Sequence, residues 1–357
     1  MSASTKLRRR VTASVAVFAS AALLAACTSN TEEPDDSDNG NGNGNGEATE
    51  PAAGGNDEVG ETVTIGLSAP APDHGWLGAM SRQAQDTAAE YDDIDLQVAE
   101  GTNDVGLQIT QMQTFINDGV DAIVIVPSDG AALTGAALEA MEAGIPVINV
   151  DREFSDPNAA RVTVLGDNYG MGISAGEYIC ERLGDNPDAV IAEIAGIDSL
   201  PLTQDRSQGF ADGLAECGLE VSNRVAADFT VQGGESTTSN LLQAAPQIDA
   251  IWNHDDDQGI GVLSAIEAAG RDEFFLVGGA GSLNMMELIQ AEDSVVEATV
   301  VYPSTQAADG VLLARLLAQG KGMSDLVENE VPRLVQLYAP VVTAENVDQY
   351  IDSAFES

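Results

Sequence analysis

From residue 62 onward the chain alternates short apolar runs with stretches of helical spacing, a rhythm that admits few folds. Residues 62–69 (TVTIGLSA), 94–99, 122–126 (AIVIV) and 145–150 (IPVINV) have strand character. Between them, 77–91, 107–117 and 131–143 carry apolar positions at helical spacing, the last two closed by Gly119 and Gly144. After a break the pattern restarts, with strands at 162–165, 189–194, 226–229, 250–252, 274–277 and 295–301. Helices are expected through Tyr178 to Leu183, near 208–215, around Leu241, and at 260–268, 285–291 and 305–318, before a terminal apolar run at 333–342. Strands of this length separated by helices predict βαβ units with right-handed crossovers, hence parallel sheets. The fold class is α/β, as two doubly wound, Rossmann-like lobes. Such sheets place a crevice at the carboxyl ends of their strands, and a site between two of them is the default.

The first 26 residues stand outside this pattern. Lys6, Arg8, Arg9 and Arg10 precede an apolar run, 11–26, shorter than the ~20 residues of a membrane-spanning helix. The run ends in Leu24-Ala25-Ala26-Cys27, which resembles a bacterial lipobox. The resemblance implies cleavage before Cys27, lipidation of its thiol and attachment to the outer face of the cell membrane. Residues 27–61 are rich in Asp, Glu, Asn, Gly, Pro and Thr, include NGNGNGNG at 39–46, and predict a flexible stalk.

Charge narrows the function. Lys+Arg total 14 against Asp+Glu 58, a net charge of −44, so the chain lacks the cations that binding a phosphate backbone requires. No nucleic-acid partner is expected. Two histidines and three cysteines leave little for a Cys/His zinc site, and no metal or cofactor is expected. The acidity itself is compatible with a saline habitat, where salt screens the repulsion.

Several loops that should follow strands carry hydroxyl-binding chemistry. Asp73-His74-Gly75-Trp76 follows the first strand and Asp151-Arg152 the fourth, while Gln204, Asp205 and Arg206 and the run His254-Asp255-Asp256-Asp257 lie in the second half. Carboxylates accept from sugar hydroxyls, Arg donates in a fixed fork, and an indole covers the C–H face. Each carboxylate alone is also a plausible helix N-cap, and Trp76 a plausible core residue.

At these residues the chain resembles the sugar-binding proteins of bacterial ABC importers, nearest the ribose-binding type. The marks are Gly144-Ile-Pro-Val-Ile-Asn-Val-Asp151-Arg152, Asp167-Asn168 before a Gly-rich helix, and Arg206-Ser-Gln-Gly209-Phe210. The resemblance implies an N-terminal lobe of 62–166 and 303–334 and a C-terminal lobe of 167–302 and 335–357, crossed near Gly166, Pro303 and Leu334. It implies ligand contacts at His74, Trp76, Asp151, Arg152, Gln204, Phe229, Asp255 and Tyr302, and no catalytic residue. It also implies a monomer that closes on one small ligand and delivers it to a permease with cytoplasmic ATPase subunits. Gln204 stands where ribose binders place Arg, Ala280 where they place Asp, and Leu77 where they place a second aromatic. A different sugar or a polyol therefore fits better than ribose.

Rival readings rest on shorter motifs. Gly172-Ile-Ser174-Ala-Gly176 matches a nucleophile elbow with His254 downstream, which would make a serine hydrolase. Ser174 falls inside an expected helix, nine positions past its strand. Gly279-Ala-Gly281 is a fragment of a dinucleotide loop without its third glycine, and His254 with Asp255–Asp257 has the ligand types of a metal site, but consecutive residues point in different directions and do not build a cage. A DNA-binding regulator on this body would need an N-terminal helix-turn-helix where the leader stands. A receptor for chemotaxis or signalling would share the fold and differ in its partner. Cys180 and Cys217 lie near the ends of helices flanking one strand; in an oxidising exterior they could form a disulfide if the helices share a face, or remain two buried thiols.

Overall fold

The structure is a computed structural model that describes residues 56, 58–323 and 330–357. The leader, Cys27 and most of the expected stalk lie outside the described residues. Among the described residues no helix is long and apolar enough to cross a membrane.

Two six-stranded sheets organise the chain. The first contains β1 (Val63–Ser68), β2 (Ile94–Val98), β3 (Ala122–Ile125), β4 (Val147–Val150) and β5 (Val162–Gly166). Between them run α1 (Gly75–Ala89), α2 (Val105–Asp118) and α3 (Gly130–Glu142). The second half repeats this plan. It contains α4 (Asn168–Leu183), β6 (Ile191–Ala195), α5 (Pro201–Ala215), β7 (Val221–Ala226), α6 (Val231–Ala244) and β8 (Ala250–Asn253). It continues with α7 (Asp256–Ala269), β9 (Phe275–Ala280), α8 (Leu283–Ala291) and β10 (Val296–Val301). The chain then returns to the first body as α9 (Gln306–Ala318) and β11 (Leu334–Leu337), and crosses again to β12 (Val341–Thr343).

The sheet orders are β11-β5-β4-β3-β1-β2 and β12-β10-β9-β8-β6-β7, all parallel except β12. Each order reverses once, between β1 and β3 and between β6 and β8, and these reversals open the crevices. Fully apolar β3 and β4 are buried along their whole length, as central parallel strands covered on both faces must be.

Three elements differ from the sequence expectation. The strand expected at 226–229 lies earlier, as β7 at Val221–Ala226. It is an edge strand whose alternate residues face solvent, so Ser222 and Arg224 are tolerated while the apolar run beyond it turns into a loop. Phe229 has φ 65°, far from the extended range of a strand interior. The terminal run 333–342 is two strands in different sheets, separated at Ala339-Pro340, and the first sheet holds the chain to Leu337 rather than 334. The end of the expected stalk is docked: Arg315 donates to the carbonyls of Asn56 and Glu58 while pairing with Asp93 at 2.7 Å, and Gly60 N–H donates to the same carboxylate.

The G-x-S-x-G motif is a packing device. A Cβ at Gly176 would lie 2.9 Å from the Phe210 carbonyl and the Leu214 nitrogen, and one at Gly172 would strike the Arg206 carbonyl, so both glycines let α4 and α5 touch backbone to backbone. Ser174 sits mid-helix with its hydroxyl donating to the Ala339 carbonyl. Cys180 and Cys217, at the ends of these two helices, form a disulfide with Cα atoms 5.8 Å apart.

Candidate functional site

The loops at the carboxyl ends of strands from both sheets converge, and the backbone is strained there. Asp151 (φ 66°) follows β4, Phe229 (φ 65°) follows β7, and Ala280 (φ 93°) ends β9. Side chains other than glycine seldom adopt such angles, and they persist where surrounding contacts fix them, often at binding sites.

Tyr302, directly after β10 on the crossing to α9, ties the site together. Its hydroxyl donates to Asp151 Oδ1 at 2.7 Å and accepts from Asn168 Nδ2 at 3.1 Å. Its ring carries the Arg206 guanidinium at 4.5 Å on one side and lies 5.3 Å from the Trp76 ring. Trp76 Nε1 donates to the Tyr302 carbonyl. Burial and the charge of Asp151 push the tyrosine hydroxyl far above its ordinary range, so it stays a donor.

Asp151 is thereby left with Oδ2, which faces Arg152 Nε at 3.5 Å. Arg152 anchors its Nη1 on the carbonyls of Pro127 and Ser128, while its buried Nε has no hydrogen-bond partner. A fixed acceptor beside a fixed donor matches the two halves of a hydroxyl group.

The second sheet supplies the opposing wall. Arg206 Nε donates to Asn168 Oδ1 and its Nη1 to the His254 carbonyl. His254 accepts the Gly196 N–H at Nδ1, so Nε2 carries the proton and donates to Glu193 at 3.0 Å. Burial pulls this imidazole down to about 4, against the opposing pull of Glu193, so it is neutral at ordinary pH. Phe229 packs on Gly196 and faces His74 across the lobes, ring centres 6.4 Å apart. Asp255 caps α7 through the Gln258 amide, and burial, with the nearby charge of Asp257, pushes it up to about 7.

The run His254 to Asp257 disperses. His254 turns to Glu193, Asp255 to α7, Asp256 to the amides of Gly279, Gly281 and Ser282, and Asp257 to the Trp76 amide. Asp256 thus occupies the very N–H groups that a phosphate would need from the Gly279-Ala-Gly281 loop.

Of the residues singled out in the sequence, His74, Trp76, Asp151, Arg152, Phe229, Asp255 and Tyr302 meet between the lobes. Gln204 does not join them: it is exposed on α5 and bonds the Asp198 carbonyl. Arg206, two residues on, faces inward because α5 buries Thr203, Arg206, Phe210 and Leu214 on one stripe. Arg206, Asn168 and Asp257 are singled out in the sequence but stand outside the ligand contacts that the resemblance implies. An arginine on the apolar stripe of a helix was the signal for the first; the others needed the fold. Two surface hollows, 880 and 870 Å3, lie on the second lobe around Phe274 and around Tyr338, away from these residues.

Two α/β lobes with a polar and aromatic crevice between them define a class of extracytoplasmic binding protein. Residues 65–322 match the model of the periplasmic binding protein domain, and the chain belongs to that family. It is 30% identical over 256 residues to the ribose import binding protein RbsB of Bacillus subtilis (strain 168), covering 70% of this chain and 81% of that protein. It is 26% identical to the xylitol-binding protein of Mycolicibacterium smegmatis, covering 84% and 83% of the two chains. Among solved structures, an ABC transporter solute-binding protein from Bacillus halodurans C-125 with bound myo-inositol superposes with a TM-score of 0.73 at 26% identity, covering 83% of this chain and 99% of that one.

Proposed function

We propose that the protein is the solute-binding subunit of an ABC importer and that it captures a sugar or polyol between its lobes. The observation that carries this is the convergence of Asp151 and Arg152 from the first lobe with Arg206, Phe229 and Asp255 from the second, around the Tyr302–Trp76 pair. Charged groups that donate and accept beside aromatic faces suit a ligand of alternating hydroxyls and C–H surfaces. Relatives named for ribose, xylitol and bound myo-inositol support the same ligand class.

The ligand differs from ribose in its anchors. Ala280 offers no carboxylate, Gln204 faces outward, and Tyr302 occupies half of Asp151. Linear polyols and cyclitols are favoured. In this account the protein acts without a cofactor or catalytic residue, as a monomer tethered through lipidated Cys27, and hands its ligand to a permease and its ATPase subunits.

A thermal-shift panel of pentoses, hexoses, inositols and linear polyols tests the proposal. A ligand held by the folded form alone raises the melting temperature, by about 2.7 kcal/mol of stability at a concentration 100 times its dissociation constant. A flat response across the whole panel would refute it.

A further inference from the structure

Helix α1 carries no cap of its own. His74 stands at its N-cap position, but the His74 side chain bonds Asp73 through Nδ1, and the first turn contains no acid. The first amides of any helix lack partners within it and must find one elsewhere. Here the partner comes from the opposite lobe: Asp257 Oδ2 accepts the Trp76 N–H at 2.9 Å in a buried contact. Asp257 itself lies in the first turn of α7. One carboxylate therefore sits between two helix N-termini from opposite lobes, and both helix dipoles favour its negative charge.

Gly75 is the seat of this contact. A Cβ there would lie 2.7 Å from Asp257 Oδ1, 2.5 Å from Ser357 Cα and 2.8 Å from the Glu356 carbonyl oxygen. Its backbone is not in the left-handed region, so glycine is needed for the approach of the other lobe and not for the local conformation. The last residues of the chain reach this point because Phe355 is buried and bridges to Ser282, accepting the Leu283 N–H at its carbonyl.

We propose that Asp257 and the C-terminal Glu356–Ser357 form a latch between the lobes, seated on Gly75, that holds the crevice closed by capping α1 from the opposite lobe. The latch rests on the capture between lobes proposed above but is independent of which ligand is bound. Asp257 is thus a positioning residue, setting the closure against which ligand binding works.

The test uses the full chain without ligand. Hydrogen exchange of the Trp76 amide reports the latch, and that of Ala84 in mid-helix is the control. Asp257→Ala should speed exchange at Trp76 about tenfold, the scale of a lost cap, with Ala84 unchanged. Asp257→Asn keeps an acceptor oxygen and should fall between. Gly75→Ala separates a latch from a merely local cap. A local account expects slower exchange, because alanine favours the helix, whereas the latch expects faster exchange because the lobes cannot seat. Lobe separation, measured between nitroxides at Asp86→Cys and Ser264→Cys in a Cys27→Ser background, should lengthen in both Asp257→Ala and Gly75→Ala. Should Asp257→Ala not fold, Gly75→Ala decides alone, since it removes no hydrogen-bonding group. Wild-type exchange at Trp76, or an unchanged separation in both variants, would overturn the proposal. A flat sugar panel with an intact latch would refute the ligand assignment and leave the latch standing.

Discussion

Replacing Tyr302 with phenylalanine removes one oxygen from the centre of the site and keeps the ring. The hydroxyl donates to Asp151 at 2.7 Å and accepts from Asn168 at 3.1 Å, while the Arg206 and Trp76 contacts belong to the ring and survive. A hydrogen bond to a charged acceptor contributes about 1.5–3 kcal/mol, and stranding the Asn168 amide adds to the loss. Tyr302→Phe should therefore destabilise the protein by about 2–4 kcal/mol. In a folded body of this size that lowers the melting temperature by about 3–6 °C. Combining it with Asp151→Asn should show a coupling of at least about 1 kcal/mol, because both variants strike the same bond. A melting temperature unchanged within about 1 °C, or strictly additive effects in the cycle, would mean that Tyr302 does not hold Asp151.

The buried Arg315–Asp93 pair should be similarly sensitive: Asp93→Ala strands a guanidinium and should cost about 3–5 kcal/mol in urea unfolding, with equal midpoints refuting the pair. Because the Arg315 hydrogen bond holds Asp93 far below the usual carboxylate range, its stabilisation is present above pH ~4 and is lost as pH falls below that. His254 should show no imidazole protonation by NMR until about pH 4, whereas an unfolded imidazole takes its proton near 6.5; its contribution, about 3 kcal/mol, is present above pH 6.5 and lost as pH falls towards 4. A His254 titration near 6.5 in the folded protein would contradict its burial. Reducing the Cys180–Cys217 bond, which closes a loop of sequence separation 37, should lower stability by about 4 kcal/mol; free thiols at these positions in unreduced, unfolded protein would refute the bond.

What the sequence discloses divides along a physical line. The β3 and β4 runs are uniformly apolar because both faces are covered, and such runs are legible without a partner. Asp151-Arg152 follows one of them directly, so its place at a strand end could be read off. The edge strand β7 is not visible as an apolar run because half-exposed strands obey alternation and not bulk hydrophobicity, while the more apolar stretch that follows turns away at Phe229. The resemblance puts the ligand contact at Gln204, whereas helical periodicity puts 203, 206, 210 and 214 on one buried face and so turns Arg206 inward. Asp257 and the Trp76 amide lie 181 residues apart, and no local pattern encodes a contact made only when two lobes meet.

The most direct test of capture between the lobes is calorimetric titration of wild-type protein and Asp151→Ala with the compound that gives the largest shift in the sugar and polyol panel. Asp151 offers Oδ2 beside the unpartnered Arg152 Nε, and removing it takes away an acceptor and loosens both Tyr302 and Arg152. Affinity should fall by at least about 1–3 kcal/mol, roughly 5- to 150-fold, while the variant remains folded. Wild-type affinity in folded Asp151→Ala would place the ligand elsewhere and contradict the site described above.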